Sequence, residues 1–240
     1  MFDSGKYGFS RMAFKFFRPS GQFTKISSAA AALMLALCIA VTARAQTAET
    51  AGTIEIVGFG DSLMAGYNLG PGEGFPEQLE DALRAEDYDV AITNAGVSGD
   101  TTSGGLSRLE WSVPETADIV LLELGANDML RGIPPASTEQ NLDRMIATLK
   151  ERGQHVILAG MLAAPNLGED YAAAFNPLYE RLAEKHEIPL IPFFLDGVAA
   201  EPSLLLEDGM HPNAQGVARM VERILPTFRE VLDKQQEEGT

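Results

Sequence analysis

Short apolar runs rich in β-branched residues alternate with amphipathic segments from residue 53 onward. Five of these runs are almost continuously apolar, which is typical of parallel strands with both faces covered by helices. They span residues 54–57, 90–93, 119–124, 156–159 and 188–193. Because strands and helices that alternate in this way are joined by right-handed crossovers, the pattern predicts a three-layer α/β/α domain around a five-stranded parallel sheet.

The segments between the runs carry the signals of helices. Pro76 suits a first helical position, and Leu79 and Leu83 continue an apolar stripe behind it. Residues 137–140, Ser-Thr-Glu-Gln, fit a capping box and predict a helix that begins there. Two further helices are predicted, one from Asn176 and Pro177 to about Glu187, and one with its apolar face at Val217, Met220, Val221, Ile224, Leu225 and Phe228.

The composition agrees with a globular protein, since 45% of the residues are apolar and 22% are charged. With 34 acidic and 18 basic residues the net charge is −16, which argues against nucleic acid or an anionic membrane surface as the main partner. No repeat or change of composition interrupts the chain after residue 52. We therefore predict a single domain over residues 46–240, as a monomer or a small homo-oligomer.

The N-terminal 45 residues have a different character. A basic stretch is followed by a 13-residue apolar run, residues 29–41, and then by Ala43-Arg44-Ala45. This order is typical of a secretory signal peptide, so we expect cleavage after Ala45 and a periplasmic or secreted protein without stable membrane insertion. An uncleaved N-terminal anchor is the alternative, although a membrane span needs about 20 residues. Cys38 lies in the apolar run, so the mature chain would have no thiol.

Unusual loops follow the carboxyl ends of the predicted strands, where open α/β sheets bind their ligands. Ser62 follows the first strand, Gly99 the second and Asn127 the third, and Asp208 and His211 follow the fifth. Taken singly, such residues are usually turn formers, caps or solvated side chains. At one rim, however, a hydroxyl, an imidazole and a carboxylate can form a nucleophilic triad, and backbone and amide N–H groups can stabilise an oxyanion.

Four motifs in these loops resemble the conserved blocks of the GDSL, or SGNH, hydrolases. They are Gly60-Asp61-Ser62-Leu63, Ser98-Gly99-Asp100-Thr101, Gly125-Ala126-Asn127-Asp128 and Asp208-x-x-His211-Pro212. The resemblance extends from about Ile54 to Phe228 and is strongest to the bacterial arylesterase, acyl-CoA thioesterase I and lysophospholipase L1 branch. One position departs from the pattern, because Ala126 stands where Gly-Gly-Asn-Asp has its second glycine, and alanine is strained at positive φ.

The resemblance implies a flavodoxin-like SGNH hydrolase fold and a specific set of roles. Ser62 would be the nucleophile, His211 the general base and Asp208 the acid that orients the histidine. The backbone N–H groups of Ser62 and Gly99 and the side chain of Asn127 would form the oxyanion hole. The expected reaction is hydrolysis of small-molecule or lipid esters through an acyl-enzyme, with aryl and short to medium acyl esters, lysophospholipids or acyl thioesters as substrates, and without a cofactor or metal ion.

The connection after the fourth predicted strand is apolar enough to contact an acyl or aryl group. Its candidate substrate-binding residues are Leu162, Ala163, Ala164, Pro165 and Leu167; the other interpretation is an ordinary connection between elements. A non-catalytic flavodoxin-like module that binds a small ligand is the alternative function. That alternative leaves the pairing of Asp208 with His211 unexplained.

Overall fold

Five parallel strands form the centre of the protein. The computed structural model describes residues 52–238, and the strands lie in the order β2-β1-β3-β4-β5. Their bounds are β1 Ile54–Gly60, β2 Val90–Gly96, β3 Ile119–Glu123, β4 His155–Ala159 and β5 Leu190–Ile191. All neighbouring strands pair in parallel, so the predicted five-stranded parallel sheet is confirmed.

Helices cover both faces of this sheet. They are α1 Ser62–Ala65, α2 Phe75–Arg84, α3 Thr102–Ser112, α4 Ala126–Leu130, α5 Pro135–Glu151, α6 Glu169–Phe175, α7 Leu178–His186 and α8 Ala214–Glu238. Helices α2 and α8 pack against each other, and helices α3 and α7 both pack against α5. Every residue of β3 is buried, which requires cover on both faces. The predicted α/β/α architecture is therefore confirmed.

The first two strands extend to Gly60 and Gly96, three residues beyond the predicted runs. Both glycines are needed because α1 packs directly on these strand ends. A Cβ on Gly60 would lie 2.7 Å from the Cβ of Met64, and one on Gly96 would lie 2.3 Å from the nitrogen of Ala65. The glycines thus allow the short helix that begins at Ser62 to lie across the edge of the sheet.

The fifth strand is shorter than the predicted span 188–193. Only Leu190–Ile191 pairs with β4, because the flanking residues are Pro189 and Pro192. Proline has no N–H to donate to a strand ladder, so the apolar run continues beyond the residues that can pair.

The capping-box prediction at residues 137–140 is wrong. Helix α5 begins at Pro135, and the N–H of Ser137 already donates to the carbonyl of Pro134 at 2.8 Å. Proline starts a helix well because the N–H that it lacks would have had no partner there. Thr138 is buried, and its hydroxyl donates to Oδ1 of Asp128 at 3.2 Å.

The predicted helix after Pro177 is confirmed as α7, but Asn176 does not cap it. The side-chain oxygen of Asn176 instead accepts the N–H of Ala163 at 2.7 Å. The last predicted helix corresponds to α8, and Asn213 caps it by accepting the N–H groups of Gln215 and Gly216.

Between residues 52 and 238 no helix combines the length and the apolarity that a bilayer span requires. The predicted signal peptide and Cys38 lie outside the described residues.

Candidate active site

Ser62 lies between strand β1, which pairs with β2 and β3, and helix α1. Strand β1 ends at Gly60, Asp61 is the N-cap, and Ser62 is the first helical residue. The Asp61 carboxylate accepts the N–H of Leu63 at 3.0 Å and so closes the first turn. This cap places the Ser62 hydroxyl and backbone N–H at the edge of the sheet where the strands end.

Ser62, His211 and Asp208 form a continuous hydrogen-bonded chain. His211 Nε2 lies 2.8 Å from Ser62 Oγ, and His211 Nδ1 lies 2.6 Å from Asp208 Oδ2. Asp208 Oδ1 accepts the backbone N–H groups of Met210 and His211 at 2.9 and 3.0 Å. Partial burial raises the pKa of Asp208, but these backbone bonds and the nearby imidazole outweigh burial and lower it to about 2. The carboxylate is therefore ionised wherever the imidazole can act as a base.

An aromatic ring that the sequence analysis did not single out lies against this histidine. The rings of Tyr67 and His211 are 4.5 Å apart between centroids and tilted by 36°. Tyr67 follows α1 directly, so the segment that carries the serine also packs on the imidazole. Only the spatial contact identifies Tyr67, because an isolated tyrosine in a loop carries no sequence signal.

The two other predicted oxyanion donors lie in the same cavity as Ser62. Gly99 has φ of +80°, a conformation that favours glycine, and its carbonyl accepts a hydrogen bond from Arg131 at 2.6 Å. Asn127 is in the first turn of α4, and its Nδ2 donates to Asp61 Oδ2 at 2.9 Å. Ala126 is not among the residues with positive φ, whereas the preceding Gly125 has φ of +124°. The substitution at Ala126 therefore introduces no strain.

The cavity has a volume of about 700 Å³ and is lined mainly by apolar side chains. Of the predicted substrate-binding residues, Leu162, Ala163, Ala164 and Pro165 line it. Leu167 is not among the lining residues, and its partly buried side chain packs against the hydrophobic core. Further lining residues are Tyr67, Met129, Leu130, Met161, Phe193, Leu195 and Met210. Leu130, Leu162 and Met210 are all more than two-fifths exposed, so apolar surface extends to the mouth of the cavity.

A layer of buried polar side chains lies beneath Ser62. Asp61 is 0% exposed and Glu123 is 1% exposed, and Glu123 Oε2 accepts the N–H of Asp61 at 3.1 Å. Burial raises the pKa of Glu123 well above its ordinary range, and the neighbouring Asp61 charge raises it further. Burial also raises the pKa of Asp61 to about 6, although hydrogen bonds from Leu63 and Asn127 and the nearby His211 act in the opposite direction.

Arg108 ties this layer to the loop that carries Gly99. Its guanidinium donates to the carbonyls of Gly60 and Ala95 at 2.9 and 2.8 Å and to the Asp100 carboxylate at 2.7 Å. It also lies 3.9 Å from the centre of the Phe59 ring. Because a planar guanidinium can serve several acceptors at once, Arg108 joins the ends of β1 and β2 to the second motif. The sequence analysis missed this residue, since an arginine inside a helix is ordinarily solvated.

Among residues 52–238 no group of three or more His, Cys, Asp or Glu side chains is arranged to hold a metal ion. Of the two other described histidines, His155 is the exposed first residue of β4. His186 ends α7 and lies 2.6 Å from Asp143 through Nε2.

Several known proteins are similar to this chain over most of its length. The model of the GDSL-like Lipase/Acylhydrolase family matches residues 59–219. An arylesterase of Vibrio mimicus is 39% identical over 184 residues, which are 76% of this chain and 90% of that protein. The thioesterase 1/protease 1/lysophospholipase L1 of Escherichia coli (strain K12) is 35% identical over 176 residues, which are 73% of this chain and 81% of that protein.

A solved structure matches the fold as well. The psychrotrophic esterase EstA from Pseudoalteromonas sp., inhibited by monoethylphosphonate, is similar with a TM-score of 0.71 at 30% identity. The match covers 75% of this chain and 98% of EstA. The chain therefore belongs to the GDSL-like lipase/acylhydrolase family and has the SGNH hydrolase fold. Within that family it is a carboxylic ester hydrolase of the serine esterase type.

Proposed function

We propose that this esterase works through an acyl-enzyme formed on Ser62, with His211 as general base and Asp208 as the acid that orients it. The observation that carries the proposal is the chain of hydrogen bonds, 2.8 Å from Ser62 to His211 and 2.6 Å from His211 to Asp208. An imidazole held between a hydroxyl and an ionised carboxylate can remove the hydroxyl proton, and the carboxylate stabilises the imidazolium that forms.

The reaction then proceeds in two acyl transfers. Ser62 Oγ attacks the carbonyl carbon of the ester while its proton moves to His211 Nε2, and the carbonyl π electrons move onto oxygen. The N–H groups of Ser62, Gly99 and Asn127 donate to this oxyanion. When the tetrahedral intermediate collapses, the C–O bond to the alcohol or phenol breaks and the leaving oxygen takes the proton from His211. A water molecule then attacks the acyl carbon while His211 Nε2 takes its proton. When this second intermediate collapses, the bond between the acyl carbon and Ser62 Oγ breaks, Oγ regains the proton from His211, and the carboxylic acid is released.

We propose aryl esters and short to medium acyl esters as the substrates, with lysophospholipids and acyl thioesters as further candidates. The apolar walls at Leu130, Leu162 and Phe193 and the volume of about 700 Å³ support an apolar acyl or aryl group. Two of the relatives are named arylesterase and thioesterase 1/protease 1/lysophospholipase L1. The reaction as proposed requires no cofactor.

We also propose that the enzyme acts in the periplasm or outside the cell as a monomer or small homo-oligomer. The basic start, the apolar run 29–41 and Ala43-Arg44-Ala45 support export. An exported enzyme rarely meets acyl-CoA, which favours an oxygen ester or a lysophospholipid as its natural substrate.

A fluorophosphonate probe tests the proposed nucleophile. Because a phosphonate mimics the tetrahedral intermediate, we expect wild-type protein to be labelled and Ser62→Ala to remain unlabelled. Ser98→Ala is the matched control, since Ser98 also lines the cavity, and it should be labelled like wild type. Absence of labelling on folded wild-type protein would favour the non-catalytic binding module.

A hydrolysis panel with Ser62→Ala as the blank tests the substrate class. It contains aryl esters, lysophospholipids and acyl thioesters of graded chain length. We expect the highest kcat/KM for oxygen esters. Equal turnover of acyl-CoA and esters, together with a cytoplasmic location of the protein, would contradict the proposed preference.

A further inference from the structure

Asp61 is a buried carboxylate whose hydrogen-bond donors are neutral. Oδ1 accepts the N–H of Leu63 at 3.0 Å and Oδ2 accepts Nδ2 of Asn127 at 2.9 Å. Within the described part of the chain, no lysine or arginine forms an ion pair with Asp61. Burying a charge without a cation nearby is unfavourable. An aspartate at this position must therefore provide something that a neutral residue would not.

Capping of α1 does not require an aspartate. Asparagine and serine cap helices about as well as aspartate, because one side-chain oxygen is enough to accept the N–H two residues on. A neutral residue at Asp61 could therefore accept the N–H of Leu63 without placing a charge in the interior. The property that distinguishes the carboxylate is its second oxygen, which also accepts and does not donate when ionised.

The second oxygen determines which end of the Asn127 amide faces Asp61. An asparagine amide can rotate by 180°, which exchanges an oxygen that accepts for a nitrogen that carries two N–H groups. Facing a carboxylate oxygen at 2.9 Å, the amide must present its nitrogen. One N–H is then bound to Asp61, and the other is free to point into the cavity that Asn127 lines.

We propose that Asp61 is a positioning residue for the oxyanion hole, and that its carboxylate fixes the Asn127 amide with the nitrogen toward the reacting carbonyl oxygen. The inference rests on the proposed function, in which Asn127 donates to the oxyanion. In the reversed orientation the amide oxygen would face the developing negative charge and repel it.

Asp61→Asn tests this role with almost no change in size. The introduced amide can still cap α1 through its oxygen, but its NH₂ group then faces Nδ2 of Asn127. Because two donors cannot pair, the Asn127 amide is expected to rotate and present its oxygen to the cavity. We expect kcat to fall about 10²-fold, the typical effect of losing an oxyanion donor, while KM changes less than about twofold.

A double-mutant cycle separates this role from a general effect on the fold. In an Asn127→Ala background there is no amide to orient, so Asp61→Asn should change kcat by less than about threefold. A further tenfold loss in that background would overturn the proposal, because Asp61 would then act through something other than Asn127.

Glu123→Gln is the matched control for converting a buried carboxyl group to an amide. Glu123 lies next to Asp61, is buried like Asp61, and keeps an oxygen for the Asp61 N–H after the change. We expect kcat within about threefold of wild type. A loss as large as that of Asp61→Asn would mean that any disturbance of the buried layer impairs activity, and the proposal would be wrong.

A spectroscopic measurement keeps this inference separate from the proposed function. In ¹H–¹⁵N spectra, the Asn127 side-chain proton bound to a carboxylate should resonate downfield, move upfield in Asp61→Asn and remain in place in Glu123→Gln. If this proton does not move, the inference fails even though the enzyme hydrolyses esters. If the proton moves as expected but wild type neither hydrolyses esters nor reacts with the phosphonate, the proposed function fails and the role of Asp61 in catalysis fails with it.

Discussion

Asp208 and Asp61 are the two aspartates of the site, and the protein shifts their pKa values in opposite directions. Asp208 lies on an exposed loop, accepts two backbone N–H groups and the imidazole, and has its pKa lowered to about 2. Asp61 lies beneath Ser62, accepts one backbone N–H and one amide, and has its pKa raised to about 6. Burial raises the pKa of both carboxyl groups. Hydrogen bonds and the imidazole outweigh it at the exposed Asp208, whereas the hydrogen bonds of the fully buried Asp61 do not.

The comparison shows that residue type alone does not define the role of an acid in this site. A solvated carboxylate with a pKa of about 2 carries a permanent charge, which suits stabilisation of an imidazolium. The buried carboxyl group of Asp61 has a pKa of about 6, and its proposed role depends on its two oxygens, which accept hydrogen bonds from Leu63 and Asn127. The predictions below separate these two roles, from the largest expected effect to the smallest.

Asp208→Asn should cause the largest loss of activity. The amide preserves the shape of the loop but removes the charge beside the imidazole and favours the wrong tautomer of His211. We expect kcat to fall about 10³- to 10⁴-fold, measured with an aryl ester at pH 8. The loss should exceed that of Asp61→Asn, and a variant that retains a tenth of wild-type kcat would contradict the role of Asp208.

The two carboxylates should affect stability in opposite directions as the pH changes. The pKa of Asp61 rises from 3.8 to about 6 on folding, so its contribution is full below pH 3.8 and is lost as the pH rises through 6. Asp61→Asn lacks this titration. The difference in the free energy of unfolding between the variant and wild type should therefore grow in favour of the variant, by up to roughly 3 kcal/mol, as the pH rises from 4 to 7.

Asp208 provides the reverse case in the same measurement. Its pKa falls from 3.8 to about 2 on folding, so its contribution is present above pH 3.8 and is lost as the pH falls toward 2. Urea unfolding of wild type and both variants across pH 2–7 checks both signs. Parallel curves for wild type and Asp61→Asn would show that Asp61 titrates normally in the folded protein.

Tyr67 should make the smallest contribution to activity, because its uncharged ring only packs against the ring of His211. Tyr67→Leu removes this aromatic contact, and we expect kcat/KM to fall about three- to tenfold. Tyr67→Phe keeps the ring and should lose less than twofold. An equal loss in both variants would assign the effect to the hydroxyl group instead of the ring.

Much of the fold follows from local patterns. The positions of the five strands could be predicted because each contains a short apolar run, and the sheet buries such a run completely at β3. Helix α8 could be predicted because apolar residues recur at helical spacing from Val217 to Phe228. Element ends were less predictable. Strand β5 is limited by two prolines, and α5 begins at Pro135 because proline competes well with Ser137 as a helix start.

The candidate site was predictable only where a residue carries its own chemical signal. Ser62, Asp208, His211, Gly99 and Asn127 lie in motifs that the sequence displays. Asp61 lies in the first motif, but its contact with Asn127 could not be predicted from the motif. Arg108 and Tyr67 lie outside the motifs, and their importance arises from contacts with residues distant in the chain. For Leu167 the sequence allowed two interpretations, because an apolar loop residue can face either a substrate or the core, and its side chain packs against the core.

The sequence by itself determined the alternation of strands and helices, the order of the four motifs and the kinds of side chain available to them. Only the tertiary structure decided that Ser62 and His211, 149 positions apart, lie 2.8 Å from each other. The tertiary structure also decided that Asp61 is fully buried whereas Asp208 is exposed to solvent. The physical reason is that local patterns record which residues prefer burial or a turn, whereas distances and pKa values depend on the neighbours that folding brings from elsewhere in the chain.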